Sequence, residues 1–413
     1  MPARTILVIG TFDTKQDELG YLAQCIIDQQ GSVLTMDVGV MRDPARPVDF
    51  SRHDVAGAGG ASIEQAMASD HENAAMQIMA RGATALALRL FDQRRFDGVV
   101  LLGGSMGTDL ALDVCAALPL GLPKVIVSTI AFSPLIPPER LAPDLQMILW
   151  AGGLYGLNDL CRSSLSQAAG AVLGAARAAV PPAGERPLIG MTSLGSSALR
   201  YMLPLKPALE SRGYEVAVFH ATGMGGRAFE SLAARGLFAC VFDLCTQELG
   251  NHVHGSTVSA GPGRLTAAGR RGIPQIVAPG CHDLVDLPGW QPIPPKWADS
   301  PRHEHNRLIT SLVLDAPERR VVADAHGRQL AQAVGPTTLI LPGGGCGEWD
   351  REGAALHDPE GLAAFCDQMR HACPANTMLV DLAAHINDAA FAETALAVFD
   401  DWVSRGLVPG TVS

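Results

Sequence analysis

A run of branched aliphatic residues, Ile6-Leu7-Val8-Ile9, stops at Gly10 and hands over to Thr11-Phe12-Asp13-Thr14-Lys15 before a helical pattern begins. The run is too short for a helix and suits a buried parallel strand. A helix over 18–30, a stop at Gly31 and a strand over 32–38 complete a βαβ start. The plan recurs later. Residues 187–191 read as a strand, Thr192-Ser193-Leu194-Gly195-Ser196-Ser197 as a loop, 198–211 as a helix stopped at Gly213, and 214–219 as a strand. Two such starts in 413 residues predict an α/β chain of two Rossmann-like lobes, each a mainly parallel sheet flanked by helices, with a cleft between them. The turn-rich stretch Val180-Pro181-Pro182-Ala183-Gly184-Glu185-Arg186-Pro187 reads as the linker. We therefore expect lobes over 1–184 and 185–413.

The chemistry sits where strands end. In the first loop, Thr11, Asp13, Thr14 and Lys15 offer two hydroxyls, a carboxylate and an ammonium beside helix amides that favour anions. Two readings are open there: a phosphate or carboxylate site, or an ordinary turn in which Asp13 or Thr14 caps the helix and Lys15 is solvated. The strand over 96–102 runs into Gly103-Gly104-Ser105-Met106-Gly107-Thr108, with a helix expected from Asp109. Glycines there let amides approach a ligand, and Ser105 and Thr108 add hydroxyls; tight strand–helix packing without a ligand is the alternative. If the sheet is parallel, these ends and Ser128-Thr129 line one crevice.

The second half repeats the theme. A strand ends in His220-Ala221-Thr222-Gly223-Met224-Gly225-Gly226-Arg227, where Arg227 could offer a bidentate fork to an oxyanion, and a helix is expected from Phe229. The strand over 240–244 leads to Cys245-Thr246-Gln247-Glu248. Ser259-Ala260-Gly261-Pro262-Gly263-Arg264 precedes a helix expected over 265–271, and the strand over 272–278 ends at Cys281-His282-Asp283.

The histidines allow two readings. His252 and His254, two apart, would share one face of a strand, and His282 with Asp283 could complete a metal site. The alternative is histidines that cap, hydrogen-bond or sit in solvent, and it is preferred here, leaving the metal unknown. His303-Glu304-His305 lacks the helical spacing of a metalloprotease. His385 follows the strand over 377–382 and precedes a helix over 388–402; it could act as general acid or base with Asp388 orienting it, or make a structural hydrogen bond.

Composition excludes several classes. A net charge of -11 argues against sequence-independent nucleic-acid binding. No apolar run approaches the roughly 20 residues that span a bilayer, and no basic region with an apolar core opens the chain, so a cytoplasmic location without membrane contact is expected. Nine cysteines without a CxxC pair point to small buried apolar residues rather than a disulfide framework or zinc knuckle.

Taken together, 10–15, 103–108, 220–227, Ser259 to Leu265, Gly272-Ile273-Pro274-Gln275 and His385-Ile386-Asn387-Asp388 resemble the Tm-1-like ATP-binding family, also called UPF0261, whose plant members are N-terminal domains of a tobamovirus-resistance protein. The resemblance covers almost the whole chain. It implies two α/β lobes, ATP bound in the first, with Mg where the nucleotide needs it, and a homodimer or higher homo-oligomer. Carried onto this sequence it implies nucleotide contacts by Thr11, Asp13, Lys15, Gly104, Ser105, Gly107 and Thr108. It also favours the anion reading of the opening loop. The chain departs from the family pattern at Met106, at 194–197, 251–255 and 281–283, and at 343–350, which leaves room for specialised chemistry.

Two function classes follow. One is an enzyme acting on a small anionic metabolite in the cleft, with His385, His282, Glu248 and Asp13 as candidate acids or bases and Arg227, Arg264, His305 and Asn306 as substrate contacts. The other is a non-catalytic ATP-binding regulatory or interaction protein. The number of polar strand ends in both lobes favours the enzyme. No nucleophile elbow or Ser-His-Asp order is readable, which argues against a serine hydrolase.

Overall fold

The computed structural model describes residues 3–411 except 70, 181–183 and 196, so the middle of the expected linker and Ser196 lie outside the described residues. The chain divides into two compact units, 1–183 and 184–413.

The described residues of the N-terminal unit hold five strands: β1 (Thr5–Gly10), β2 (Ser32–Asp37), β3 (Gly98–Gly103), β4 (Lys124–Ser128) and β5 (Leu145–Leu149). Every pairing is parallel, in the order β2-β1-β3-β4-β5. Alternation along β1 explains why the sheet is covered on both faces. Leu7 and Ile9 enter one apolar cluster with helix Glu72–Asp92, while Ile6 and Val8 enter another with helices Gln16–Asp28 and Asp159–Ala178. The order reverses between β1 and β3, so their carboxyl ends flank the position where open α/β sheets bind ligands.

The C-terminal unit follows the same logic with β6 (Leu188–Ser193), β7 (Glu215–His220), β8 (Cys240–Cys245), β9 (Gln275–Gly280), β10 (Leu284–Pro288), β11 (Arg302–Glu304), β12 (Ile309–Val313), β13 (Thr337–Pro342) and β14 (Met378–Leu382). Six of these form a parallel sheet in the order β14-β13-β9-β8-β6-β7, which reverses between β6 and β8. The remaining three form an antiparallel sheet, β10-β12-β11, which sequence reasoning did not anticipate. Its strands are short, and prolines at 292, 294, 295 and 301 interrupt the pattern between them.

Several boundaries move. The helix expected from Asp109 begins at Ser105, because Gly104 takes an extended conformation and starts the helix directly at the strand end. The helix expected from Ala198 begins at Met202, because Leu194 and Ala198 pair as an isolated bridge and close a tight turn first. The helix expected from Phe229 begins at Met224, and that expected from Leu265 shrinks to Ala267–Arg271. His252 and His254 are not on a strand: they sit near the end of helix Gln247–Val253 and at its carboxyl cap.

Candidate functional site

At the β1–β3 reversal of the N-terminal unit the opening loop splits into buried and open parts. Thr11 and Thr14 share a hydroxyl hydrogen bond of 3.0 Å, and the Lys15 ammonium donates to Thr14 at 3.3 Å. Thr14 is exposed and Lys15 partly so. Asp13 instead turns inward, 7% exposed: its Oδ2 accepts from the Met41 amide at 2.9 Å, and its carbonyl accepts from Arg42 Nε and Nη2 at 3.2 and 3.0 Å. The structure therefore gives Asp13 the work of pinning Met41 and Arg42, with its Oδ1 buried and unpartnered. Asp37, at the end of β2, accepts from the amides of Phe12 at 3.0 Å and Gly39 at 2.8 Å. Burial raises its pKa to about 6, against the opposing pull of those two amides.

The Gly-rich turn after β3 shows a similar division. A Cβ on Gly103 would lie 2.5 Å from the Gly107 Cα, so this glycine is demanded by strand–helix packing. Thr108, fully buried, spends its hydroxyl on Ser128 at 2.7 Å and does not face outward as a nucleotide contact. Gly104, Ser105 and Gly107 remain at least partly exposed at the amino end of helix Ser105–Ala117, where no side chain caps the first amides. Of the residues assigned to a nucleotide, Thr11, Lys15, Gly104, Ser105 and Gly107 thus stay accessible at the ends of neighbouring strands.

In the C-terminal unit, two expected functional residues are internal. Arg264 has no exposure. Its Nε pairs with Glu248 at 2.8 Å, Nη2 with Asp243 at 2.6 Å and with the Cys245 carbonyl at 3.0 Å, and Nη1 with Asp243 and with Glu230 at 3.1 Å. Glu248 also accepts from the Gly223 and Gly226 amides, anchoring the turn after β7, and burial raises its pKa. This is a buried ion cluster that ties β8 to two helix starts, not an acid or a substrate clamp. Arg227 donates to the Ser259 carbonyl at 2.7 Å in the same neighbourhood.

The two histidines chosen as acids or bases are also structural. His282 is 1% exposed and stacks on Phe365 with ring centroids 3.5 Å apart; burial holds its pKa well below the usual value. His385, 3% exposed, accepts the Asn387 amide at Nδ1 (3.1 Å), so Nε2 is left to donate to the Gly347 carbonyl at 2.8 Å. Its neighbour Asn387 donates to the Ser197 carbonyl at 3.0 Å and to Glu348 at 3.1 Å, joining the loops after β6 and β13. His385 and Asn387 therefore brace loops, and neither lines the neighbouring cavity.

Ser197, held by Asn387, lines a cavity of about 210 Å³ at the β6–β8 reversal. Leu194 and Ser197 come from the loop after β6, His220 and Thr222 from the end of β7, and Gln247 from the end of β8. The antiparallel sheet closes the other side with Leu284, Asp286, His305, Asn306, Ile309 and Ser311, and Trp349 completes it. Asp286 is buried, accepts from the Ser311 hydroxyl at 2.5 Å, and has its pKa raised by desolvation. Desolvation first and the neighbouring His305 second lower the His220 pKa. The Asn306 carbonyl oxygen is spent on the amides of Leu308 and Ile309, which fixes the turn carrying His305. His303 packs on Trp349 at 4.1 Å and lies 6.0 Å from His305.

The cavity joins His305 and Asn306 with His220, Gln247, Asp286 and Trp349, which sequence reasoning had not assigned to a site. Their signal was position: His220 ends β7, His305 and Asn306 lie between β11 and β12, and Gln247 opens the helix after β8 beside the more conspicuous Glu248. Among the described residues no group of three or more His, Cys, Asp or Glu is arranged to hold a metal ion.

Comparison with known proteins fixes the family. The N-terminal domain model of the uncharacterised protein family UPF0261 matches residues 4–181, and its C-terminal domain model matches 186–403. The chain belongs to the UPF0261 family. A UPF0261 protein of Brucella melitensis is 55% identical over 98% of this chain and 96% of its own length. One from Clostridium tetani is 34% identical over 94% and 96%. The ToMV resistance protein Tm-1(GCR237) of Solanum lycopersicum is 28% identical over 95% of this chain and 55% of its own length. An esterase domain from Rhodothermus marinus aligns with a TM-score of 0.30 and 13% identity over 54% of this chain and 90% of that domain, too weak a likeness to carry an argument. No helix among the described residues of this UPF0261 protein is long and apolar enough to cross a membrane.

Proposed function

We propose that this UPF0261 protein is an enzyme that binds a small anionic metabolite in the C-terminal cavity and works on it by acid–base chemistry. The observation that carries the reading is the cavity itself. It lies at a sheet reversal, two imidazoles converge on it together with a buried carboxyl whose proton affinity is raised, the His220 imidazole has its affinity lowered, and a small antiparallel sheet shields it. His220, kept neutral near pH 7 by desolvation, is suited to take a proton. His305 faces it from the other wall and suits either proton return or charge neutralisation. Asp286, whose pKa burial raises, holds the Ser311 hydroxyl on the same wall.

The N-terminal unit supplies a separate anion site in this reading, with Lys15, Thr11 and the uncapped amides at Gly104, Ser105 and Gly107 receiving ATP or another phosphate. Mg would accompany a bound nucleotide. The reading also includes a cytoplasmic protein that assembles with copies of itself. The tomato relative, named for virus resistance, supports a second reading in which ATP binding serves an interaction and no reaction occurs.

A thermal-shift screen of the full chain with small carboxylic acids and with ATP–Mg²⁺ separates the two. The enzyme reading expects a rise in melting temperature with an acid that is lost in His305→Ala and retained in Lys15→Ala. A rise with ATP alone, lost in Lys15→Ala, contradicts it and supports the interaction reading.

A further inference from the structure

The cavity also carries information about its occupant, and the inference that follows rests on the reading just proposed. Gln247 is 1% exposed and lines the cavity; its amide oxygen has no partner, and its nitrogen reaches the Asp286 carboxyl only in a contact short of full hydrogen-bond geometry. The amide lies alongside Asp286, whose Oδ1 is already engaged by Ser311. A buried acceptor left unmatched and a buried donor poorly matched each carry a desolvation penalty that an occupant can relieve. A ketone or carboxylate oxygen can only accept, so it satisfies the nitrogen and leaves the oxygen unmatched. A hydroxyl donates and accepts at once and satisfies both.

The rest of the lining narrows the class. Leu194, Leu284, Ile309 and Trp349 give an apolar and aromatic wall suited to a carbon skeleton. No Arg or Lys lines the cavity among the described residues, so it lacks the fork or the fixed charge that a phosphate dianion calls for. The groups able to become cationic are His220 and His305, enough for one carboxylate. The volume, about 210 Å³, lies below the usual range for drug-sized ligands.

We infer that the cavity receives a short hydroxycarboxylic acid, its carboxylate at His220 and His305, one hydroxyl at the Gln247 amide, and its carbon chain along Trp349. Selectivity then resides in Gln247 and affinity for acids in the histidines. The two contributions separate by mutation.

Calorimetric titration of the full chain with D-glycerate, D-threonate, propionate, pyruvate and glycerol 3-phosphate tests this. The hydroxy acids should bind, and propionate, pyruvate and glycerol 3-phosphate should bind about tenfold more weakly or worse. Gln247→Leu should erase the preference for glycerate over propionate, while His305→Ala should weaken all the carboxylic acids alike. Melting curves of both variants, within a few degrees of the parent, establish that the fold survives. Pyruvate or propionate binding as tightly as glycerate, with dependence on His305, overturns the inference and leaves the proposed function standing. A preference for glycerate that persists in Gln247→Leu likewise overturns the inference alone, whereas binding of none of the acids overturns both.

Discussion

Glu248 and Gln247 are adjacent, and their fates differ completely. The carboxylate points into the protein toward Arg264 and two backbone amides, while the amide lines the cavity with its oxygen unpartnered. Residue type alone marks the carboxylate as the better acid or base; only its direction from the end of β8 shows that it is spent. The same reasoning demotes Arg264, whose charge is shared among three carboxylates in the interior. Removing it strands those carboxylates. Arg264→Leu should therefore cost about 3–5 kcal/mol, measured by urea unfolding, as the breaking of buried ion pairs does. Lys15→Ala, at a partly exposed group that reaches Thr14, should stay within about 0.5 kcal/mol of the parent. Chemistry-bearing residue types were legible in the sequence; which way each faces was not, because that depends on the turn that follows each strand.

At the level of elements, the parallel strands were legible for a physical reason. Strands buried on both faces read as unbroken apolar runs, as in Val99-Val100-Leu101-Leu102, and glycines or hydroxyls punctuate their ends. The antiparallel sheet was not legible, because β10, β11 and β12 span five, three and five residues and draw their register from one another. That omission hid half of the cavity. The turn after β3 illustrates the opposite error: the glycines read as a ligand cradle, yet Gly103 is demanded by contact with Gly107. Gly103→Ala places a Cβ 2.5 Å from backbone that cannot yield locally, and a loss of about 1–3 kcal/mol is expected from denaturant unfolding. Gly104→Ala, whose added Cβ would come no nearer than 3.8 Å to the Thr129 hydroxyl, should be far milder.

For the molecule as a whole, buried titratable groups set how stability responds to pH. His326, with its pKa lowered to about 4 by burial, stays neutral in the fold while the unfolded chain protonates near 6.5, so its contribution is present above 6.5 and is lost as pH falls toward 4. Asp350 has the opposite sign. Burial, and next the neighbouring Asp283, push it to about 8, so the fold retains a proton that the unfolded chain gives up above its ordinary value of 3.8. That contribution is full below 3.8 and declines as pH rises to 8. Between pH 6.5 and 8 the Asp350 effect acts without the His326 one, and the melting temperature should fall. Asp350→Asn keeps an acceptor for the Cys346 amide and removes the titration, so melting curves of the variant should flatten across that interval.

The family and both parallel sheets agree with what the sequence announced, and the function proposed rests on the cavity in the C-terminal unit. Its most direct test is an NMR titration of the full chain, following assigned histidine ring signals as D-glycerate is added near pH 6.5. Saturable movement of the His220 and His305 signals is expected, with the signals of the deeply buried His282 and His326 unmoved. Signals of His220 and His305 that stay fixed through the titration would contradict it.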